Sequence, residues 1–267
     1  SKGETMRRLA IVPALLVLAA CSQPSIADRL MAGHWVDLTY DFDSTTIYWP
    51  TAQPFHLTVV SAQRTPGGWY YAANNFSAAE HGGTHLDAPV HFIEKKHTTD
   101  QIPLSQLVAP AVVIDVRGKA DSSPDYRVHQ SDITAWEATH GDIPEGSIVL
   151  IRTGWGTRWP DRARYLGTTK TGLVGVAQLH FPGLDLDAAR ALVRRRVSAV
   201  GIDTPSIDYG QSTTFQVHRR LFASNVPAFE NVAHLEGLPA TGAFVIALPM
   251  KIKGGSGGPL RIVAFLP

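Results

Sequence analysis

Short runs of β-branched and aliphatic residues recur along the chain after residue 33, and clusters of glycine and proline separate them. Runs of this length and composition are typical of β-strands in a buried sheet. The pattern predicts seven strands, over residues 35–40, 56–61, 111–116, 147–152, 199–202, 244–248 and 260–265. The glycine and proline clusters at 65–68 and 254–259 predict turns.

Two segments have the pattern of amphipathic helices instead. The first covers residues 131–139, with Ser131 or Asp132 as its N-cap. The second begins at Asp185 or Asp187 and continues to residue 196, with acidic residues in its first turn and basic residues in its last. Several strands with a few helices predict a mixed α/β fold.

Composition and charge fit one catalytic domain. The 267 residues are 44% hydrophobic, and 24 basic side chains nearly balance 23 acidic ones. This balance leaves no electrostatic footprint for nucleic acid, and the basic run at 194–196 is interpreted as the solvated face of the second helix. We predict a leader over 1–21, a short linker over 22–33 and a single domain over 34–267.

The amino terminus has the pattern of a secretory signal. Basic residues at 7 and 8 precede an apolar stretch over 9–20, which is too short to span a bilayer as a mature helix. Residues 18–21 (Leu-Ala-Ala-Cys) resemble the bacterial lipobox, which implies a lipidated Cys21, and Ser22 favours the outer membrane by analogy. Residues 1–5 lie upstream of a natural-looking start at Met6 and are expected to be an expression remnant or an early start.

These features predict an exported protein of the cell envelope or periplasm that contacts the membrane only through Cys21. Because Cys21 is the only cysteine in the chain, an intramolecular disulfide is excluded. A catalytic thiol is excluded as well, since the sole candidate would carry the lipid.

Residue types that can bind a metal are concentrated in residues 81–92, which read His-Gly-Gly-Thr-His-Leu-Asp-Ala-Pro-Val-His-Phe. The adjacent glycines and Pro89 disfavour a helix, so we predict a loop that leads into an extended stretch. His85 and Asp87 then project to the same side, and the glycines let His81 fold back toward them. Imidazole and carboxylate ligands suit Zn²⁺ or Mn²⁺, and three ligands with an open position are typical of a catalytic centre.

His91 lies one step beyond these residues, behind Pro89, where it is better placed as a proton carrier than as a fourth ligand. The alternative is a polar loop in which the histidines are solvated or pair with the backbone.

The segment 81–92 resembles the signature of the cyclase-like metal hydrolases, the family that contains bacterial kynurenine formamidase and isatin hydrolase. The resemblance extends to 36–50, 149–155 and 199–208, and it covers nearly the whole chain after residue 33. It implies the swivelling β/β/α fold, with a barrel-like β core and outer helices. It also implies that His81, His85 and Asp87 bind the metal and that His91 is the catalytic acid/base.

His218 and Glu230 form a second candidate constellation, twelve residues apart. In kynurenine formamidases of this type, such a pair completes a two-metal site, so the resemblance implies one or two ions. A helix from His218 followed by an extended return would let both side chains face one pocket. Alternatively, His218 lies on a helix surface, and Glu230 pairs with Arg219 and Arg220.

Aromatic residues are frequent before the metal motif and suit a flat aromatic substrate. The candidates for the pocket are Tyr48, Trp49, Phe76 and, from the opposite side, Trp155.

The predicted function is hydrolysis of a carbon–nitrogen amide bond by metal-activated water, with His91 taking the proton and returning it to the leaving nitrogen. The predicted substrate is a small aromatic amide, either a cyclic one such as isatin or an aryl formamide such as N-formylkynurenine. Export and chain length favour the first. A non-catalytic lipoprotein that binds a metal or an aromatic ligand is the alternative. Relatives commonly form dimers or tetramers, which implies a homodimer or homotetramer here.

Overall fold

The structure is a computed structural model that describes residues 25–267. The predicted signal sequence and Cys21 lie outside these residues, and the lipid anchor stays a prediction. No helix within residues 25–267 is long and apolar enough to cross a membrane.

Strands and short helices alternate along the described chain. The strands are β1 (His34–Asp37), β2 (His56–Arg64), β3 (Tyr70–Ser77), β4 (His85–Asp87), β5 (Val108–Asp115), β6 (Arg127–Val128), β7 (Ile148–Arg152), β8 (Gly183–Leu184), β9 (Ala199–Ile202), β10 (Ala228–Glu230), β11 (Ala243–Pro249) and β12 (Gly257–Leu266). The α-helices are α1 (Ile26–Ala32), α2 (Leu104–Leu107), α3 (Arg117–Ser122), α4 (Gln130–His140), α5 (Arg162–Leu166), α6 (Gly172–Val176), α7 (Leu186–Arg194) and α8 (Gln216–Phe222). Helix α1 lies within the predicted linker.

Seven strands close into a barrel in the order β12, β11, β5, β7, β9, β10 and β4, because β4 also pairs with the start of β12. Strands β5, β7, β9 and β10 run parallel, and the other pairs in the ring are antiparallel. Strand β1 extends the sheet along β12. The mixed α/β fold with a barrel core and outer helices is confirmed.

The central strands are continuous apolar runs because both of their faces are buried. In β7, Ile148 and Leu150 pack into the barrel interior with residues of β5, β11 and β12. Val149 and Ile151 point the other way, into a layer shared with α4, α7 and α8. The barrel is therefore filled on the inside and covered by helices on one outer side.

Both predicted helices are present, with one correction at a helix start. Helix α7 has Asp185 as its N-cap, as expected. The N-cap of α4 is His129, and neither Ser131 nor Asp132 takes that position. Asp132 is the third helical residue, and its carboxylate reaches back to accept a hydrogen bond from the His129 amide at 2.7 Å. The capping carboxylate thus acts from inside the first turn.

Asp132 gives a stability prediction, because its buried carboxylate also accepts hydrogen bonds from Lys119 and from the Tyr126 hydroxyl. Burial raises the pKa of Asp132, but these hydrogen bonds outweigh it and hold the pKa below its usual value. Asp132→Asn should therefore cost about 1–2 kcal/mol at pH 7. The pKa is lowered in the folded state, so this contribution is present above about pH 4 and lost as the pH falls further.

Urea unfolding of the parent and of Asp132→Asn at pH 7 and pH 3 measures this difference, with Glu94→Gln as the exposed control. Equal stability of the parent and the Asp132 variant at pH 7 would contradict the assignment.

The two predicted turns have different outcomes. Residues 65–68 connect β2 and β3 as a hairpin turn, as expected. In the segment 254–259, Gly257 to Pro259 belong to β12 and pair with β4, so the turn prediction is wrong there. Gly257 marks a close approach instead, since a Cβ atom on it would lie 2.6 Å from the imidazole of His81.

Candidate metal centre

Strand β4 carries two of the predicted ligands and is fixed on both sides. It pairs with β10 through His85 to Asp87 and with the start of β12 on its other edge. Side chains alternate along a strand, so Leu86 packs into the barrel core while His85 and Asp87 share the opposite side. The Nε2 atom of His85 is accordingly 3.1 Å from Oδ1 of Asp87.

The glycine pair folds His81 back onto this strand. Gly83 has a left-handed backbone with φ of 57°, and a Cβ atom on Gly82 would overlap the ring of Tyr48. Side chains at either position would therefore disturb the loop. The result is a distance of 2.6 Å between Nδ1 of His81 and Oδ1 of Asp87.

His218 and Glu230 reach the same point from α8 and β10. Nε2 of His218 lies 3.2 Å from Oδ2 of Asp87 and 3.1 Å from Oε1 of Glu230. His218 is 3% exposed, and within residues 25–267 Glu230 forms no ion pair with Arg219 or Arg220. The alternative of a surface histidine beside an arginine–glutamate pair is therefore excluded.

The outward nitrogen of each of these histidines is held by a hydrogen bond. Nδ1 of His218 lies 2.6 Å from the Asp208 carboxylate, Nδ1 of His85 lies 2.9 Å from the Gly83 carbonyl, and Nε2 of His81 lies 2.9 Å from the Ser256 hydroxyl. The inward nitrogens all face Asp87 or Glu230. Such outer hydrogen bonds orient histidines that bind metals.

The arrangement fits a divalent cation. Nε2 of His85 is buried and has no partner with hydrogen-bond geometry among the described residues, although two carboxylates lie within 3.4 Å of it. Two donor sets share Asp87, one with His81 and His91 and the other with His85 and Glu230. Imidazole nitrogens and carboxylate oxygens suit Zn²⁺ or Mn²⁺.

The pKa values of the histidines indicate that the buried carboxylates favour a positive charge beside them. Burial lowers the pKa of His85, but Asp87 and Glu230 outweigh it and raise that pKa to about 10. Burial lowers the pKa of His218 as well. The carboxylates of Asp208, Asp87 and Glu230 outweigh burial and raise that pKa well above its usual value. The buried carboxylates thus require a compensating cation, which a proton or a metal ion can provide.

His91 lies at the edge of this cluster, in the short 3₁₀ turn Pro89–His91. Its ring stacks on that of His81 with 3.8 Å between the centroids. Burial lowers the pKa of His91 to about 4, against the attraction of Asp87 and together with repulsion from His81. The imidazole is therefore neutral near pH 7 and able to accept a proton.

A cavity of about 300 Å³ opens over the cluster. Its wall includes Tyr48 and Trp49, two of the four aromatic residues proposed for the pocket. Phe76 and Trp155 do not lie in it, which corrects that part of the prediction. Phe76 is 56% exposed on the β2–β3 hairpin, whereas the indole of Trp155 is buried in a separate cluster and donates to the Tyr165 carbonyl.

Sequence reasoning missed several residues of the site. Phe92 and Phe215 line the cavity, and Asp208 orients His218. Phe92 follows His91 directly and Phe215 precedes His218 by three residues, so proximity to the motifs is a signal for both. No local spacing identifies Asp208.

Comparison with known proteins gives consistent matches over most of the chain. A family model described as a putative cyclase matches residues 36–209. The chain is 36% identical over 208 residues to an isatin hydrolase of Roseibium aggregatum, covering 75% of this chain and 77% of that protein. It is 29% identical over 232 residues to a kynurenine formamidase of Salinibacter ruber, covering 85% and 95%.

Comparison with solved structures also finds isatin hydrolases and metal-dependent hydrolases. An isatin hydrolase bound to the product analogue thioisatinate superimposes with a TM-score of 0.80 at 31% identity, over 90% of this chain and 96% of that one. A potential metal-dependent hydrolase with cyclase activity superimposes with a TM-score of 0.66 at 25% identity, over 88% and 99%.

Proposed function

The chain belongs to the cyclase family, and from that membership we propose that it is a metal-dependent hydrolase that cleaves the carbon–nitrogen bond of an aromatic amide. The observation that carries the proposal is the convergence of three histidine nitrogens on the buried Asp87 carboxylate beneath an aromatic cavity. Relatives named as hydrolase and formamidase support this reaction class over a non-catalytic binding protein.

The chain's own residues account for binding and proton transfer. His81, His85 and Asp87 would hold the first ion, and His218 and Glu230 a second. A bound Zn²⁺ or Mn²⁺ supplies Lewis acidity, which polarises a carbonyl oxygen and lowers the pKa of water. His91, neutral and at the edge of the cluster, takes the proton from the attacking water and returns it to the leaving nitrogen.

The cavity wall favours a neutral, flat substrate. Trp49, Phe92 and Phe215 provide aromatic surface. Among the described residues, no lysine or arginine lines the cavity. N-formylkynurenine carries an amino-acid carboxylate that would lack a cationic partner there, whereas isatin carries no charge. We therefore infer a cyclic aromatic amide of the isatin type as the substrate.

Turnover of the two compounds tests this inference. The metal-loaded protein should hydrolyse isatin with a kcat/KM at least about tenfold above that for N-formylkynurenine, equivalent to about 1.4 kcal/mol of transition-state binding. Ultraviolet absorbance follows both products, and protein stripped with a chelator is the control. A preference for N-formylkynurenine would contradict the substrate inference, and inactivity toward both would contradict the proposed reaction.

We also propose that the protein is a homodimer or homotetramer joined through the β2–β3 hairpin. Large apolar side chains of this hairpin are exposed, among them Leu57 at 58%, Val59 at 61% and Tyr70 at 61%. A two-stranded hairpin is marginally stable alone, and an exposed apolar patch of this kind marks an interaction surface.

Light scattering should give a mass two or four times that of one chain. Leu57→Asp with Val59→Asp should shift the mass toward the monomer. A monomeric parent would refute the assembly.

A further inference from the structure

Glu80 and Ser256 form a connected pair behind His81. The Oε2 atom of Glu80 accepts hydrogen bonds from the Ser256 hydroxyl at 2.6 Å, from the Ser256 amide at 2.9 Å and from the Gly257 amide at 3.2 Å. The same Ser256 oxygen lies 2.9 Å from Nε2 of His81. A carboxylate is therefore linked to His81 through one serine.

With Glu80 ionised, the hydrogen bonds that join Glu80, Ser256 and His81 allow only one arrangement of their protons. An ionised carboxylate only accepts hydrogen bonds, so the single hydroxyl proton of Ser256 is donated to Glu80. The Ser256 oxygen can then only accept from His81, which requires the proton of that imidazole to be on Nε2. In the neutral ring, the Nδ1 lone pair is left free, and it faces Oδ1 of Asp87 at 2.6 Å. Two lone pairs at that distance repel unless a cation lies against them.

We propose that Glu80 is a positioning residue that acts through Ser256 to fix the tautomer of His81 and so present Nδ1 to the metal. The outward ring nitrogen of each of the three histidines would then be held by a hydrogen bond, with a different partner in each case. Asp208 holds His218 directly, the Gly83 carbonyl holds His85, and Glu80 holds His81 through a serine.

The packing around His81 supports this role. The start of β12 lies against the imidazole, where Gly257 leaves no space for a side chain. Ser256 is thus held at a fixed distance from His81 by the strand that also pairs with Asp87. The inference rests on the metal centre of the proposed function and is independent of the substrate.

Zinc affinity of the whole protein tests the role of Glu80. We would measure the Zn²⁺ Kd by competition with a chromogenic chelator for the parent, Glu80→Gln and Ser256→Ala. Loss of an outer partner of a metal-binding histidine typically weakens binding by about 10–100-fold, and we expect a loss in this range for both variants. The isosteric Glu80→Gln keeps the test valid if Ser256→Ala folds poorly.

Asp100→Asn is the matched control. Asp100 anchors the same segment by accepting a hydrogen bond from the Gly254 amide at 2.9 Å, with no connection to His81. This variant should bind Zn²⁺ within about twofold of the parent. In ¹⁵N spectra of the zinc-loaded protein, the Nε2–H signal of His81 should be unchanged in Asp100→Asn and altered in the other two variants.

Parent-like zinc affinity of Glu80→Gln and Ser256→Ala would overturn this inference alone. An equal loss in Asp100→Asn would do the same, because it would show that Glu80 only anchors the segment. A parent that binds no Zn²⁺ would overturn the proposed function and this inference together.

Discussion

Asp87→Asn should weaken Zn²⁺ binding by more than about 100-fold and abolish amide hydrolysis, a larger loss than that expected from an outer partner. Within residues 25–267, Asp87 is the one carboxylate in contact with His81, His85 and His218 together, at distances of 2.6–3.2 Å. Asparagine keeps the shape of the side chain but removes its charge and one acceptor oxygen. The three imidazoles would then converge on a neutral amide.

The zinc Kd and the rate of isatin hydrolysis measure this effect, and far-UV circular dichroism checks the fold. Asp41→Asn, at an exposed position, is the control and should match the parent in both. Retention of the parent's zinc affinity by Asp87→Asn would show that the ion, if any, is held elsewhere.

His91→Ala should retain the metal and lose about 10²–10⁴-fold in kcat, the usual contribution of a positioned acid/base. His91 could join His81 and Asp87 in one donor set, and its ring stacks on that of His81. Among the described residues, however, it forms no hydrogen bond or ion pair with Asp87 or Glu230, whereas the other three histidines do. Its loss therefore removes proton transfer while the ligands stay in place.

Turnover and zinc content measured on the same sample distinguish these roles. His56→Ala, at an exposed position on the hairpin, is the control. Turnover of His91→Ala close to that of the parent would refute the acid/base assignment, and loss of zinc along with the activity would reclassify His91 as a ligand.

Three of the four parallel strands of the barrel, β5, β7 and β9, were predictable, because burial on both faces produces continuous apolar runs such as Ile148 to Ile151 and Ala199–Ile202. Strand β3 (Tyr70–Ser77) has two asparagines and an exposed surface, so it lacks that pattern. Strands β4 and β10 have three residues each, which is too short for periodicity to identify. Each of them also carries residues of the site, His85 and Asp87 on β4 and Glu230 on β10.

In the candidate site, too, some residues have a local sequence pattern and others do not. Residues 81–91 are close in sequence, so their chemistry is visible as a motif. Ser256 reaches His81 across 175 residues and Asp208 lies ten residues from His218, and neither pairing has a local signature. Gly257 was predicted to lie in a turn because glycine is common in turns. It lies in a strand instead, where the absence of a side chain leaves room for His81.

The most direct test is an anomalous diffraction measurement at the zinc absorption edge on crystals grown with Zn²⁺. We expect a strong peak in contact with Nδ1 of His81, Nε2 of His85 and the Asp87 carboxylate, at the floor of the aromatic cavity. A map with no peak at that position, and with those three side chains turned away from one another, would contradict this expectation.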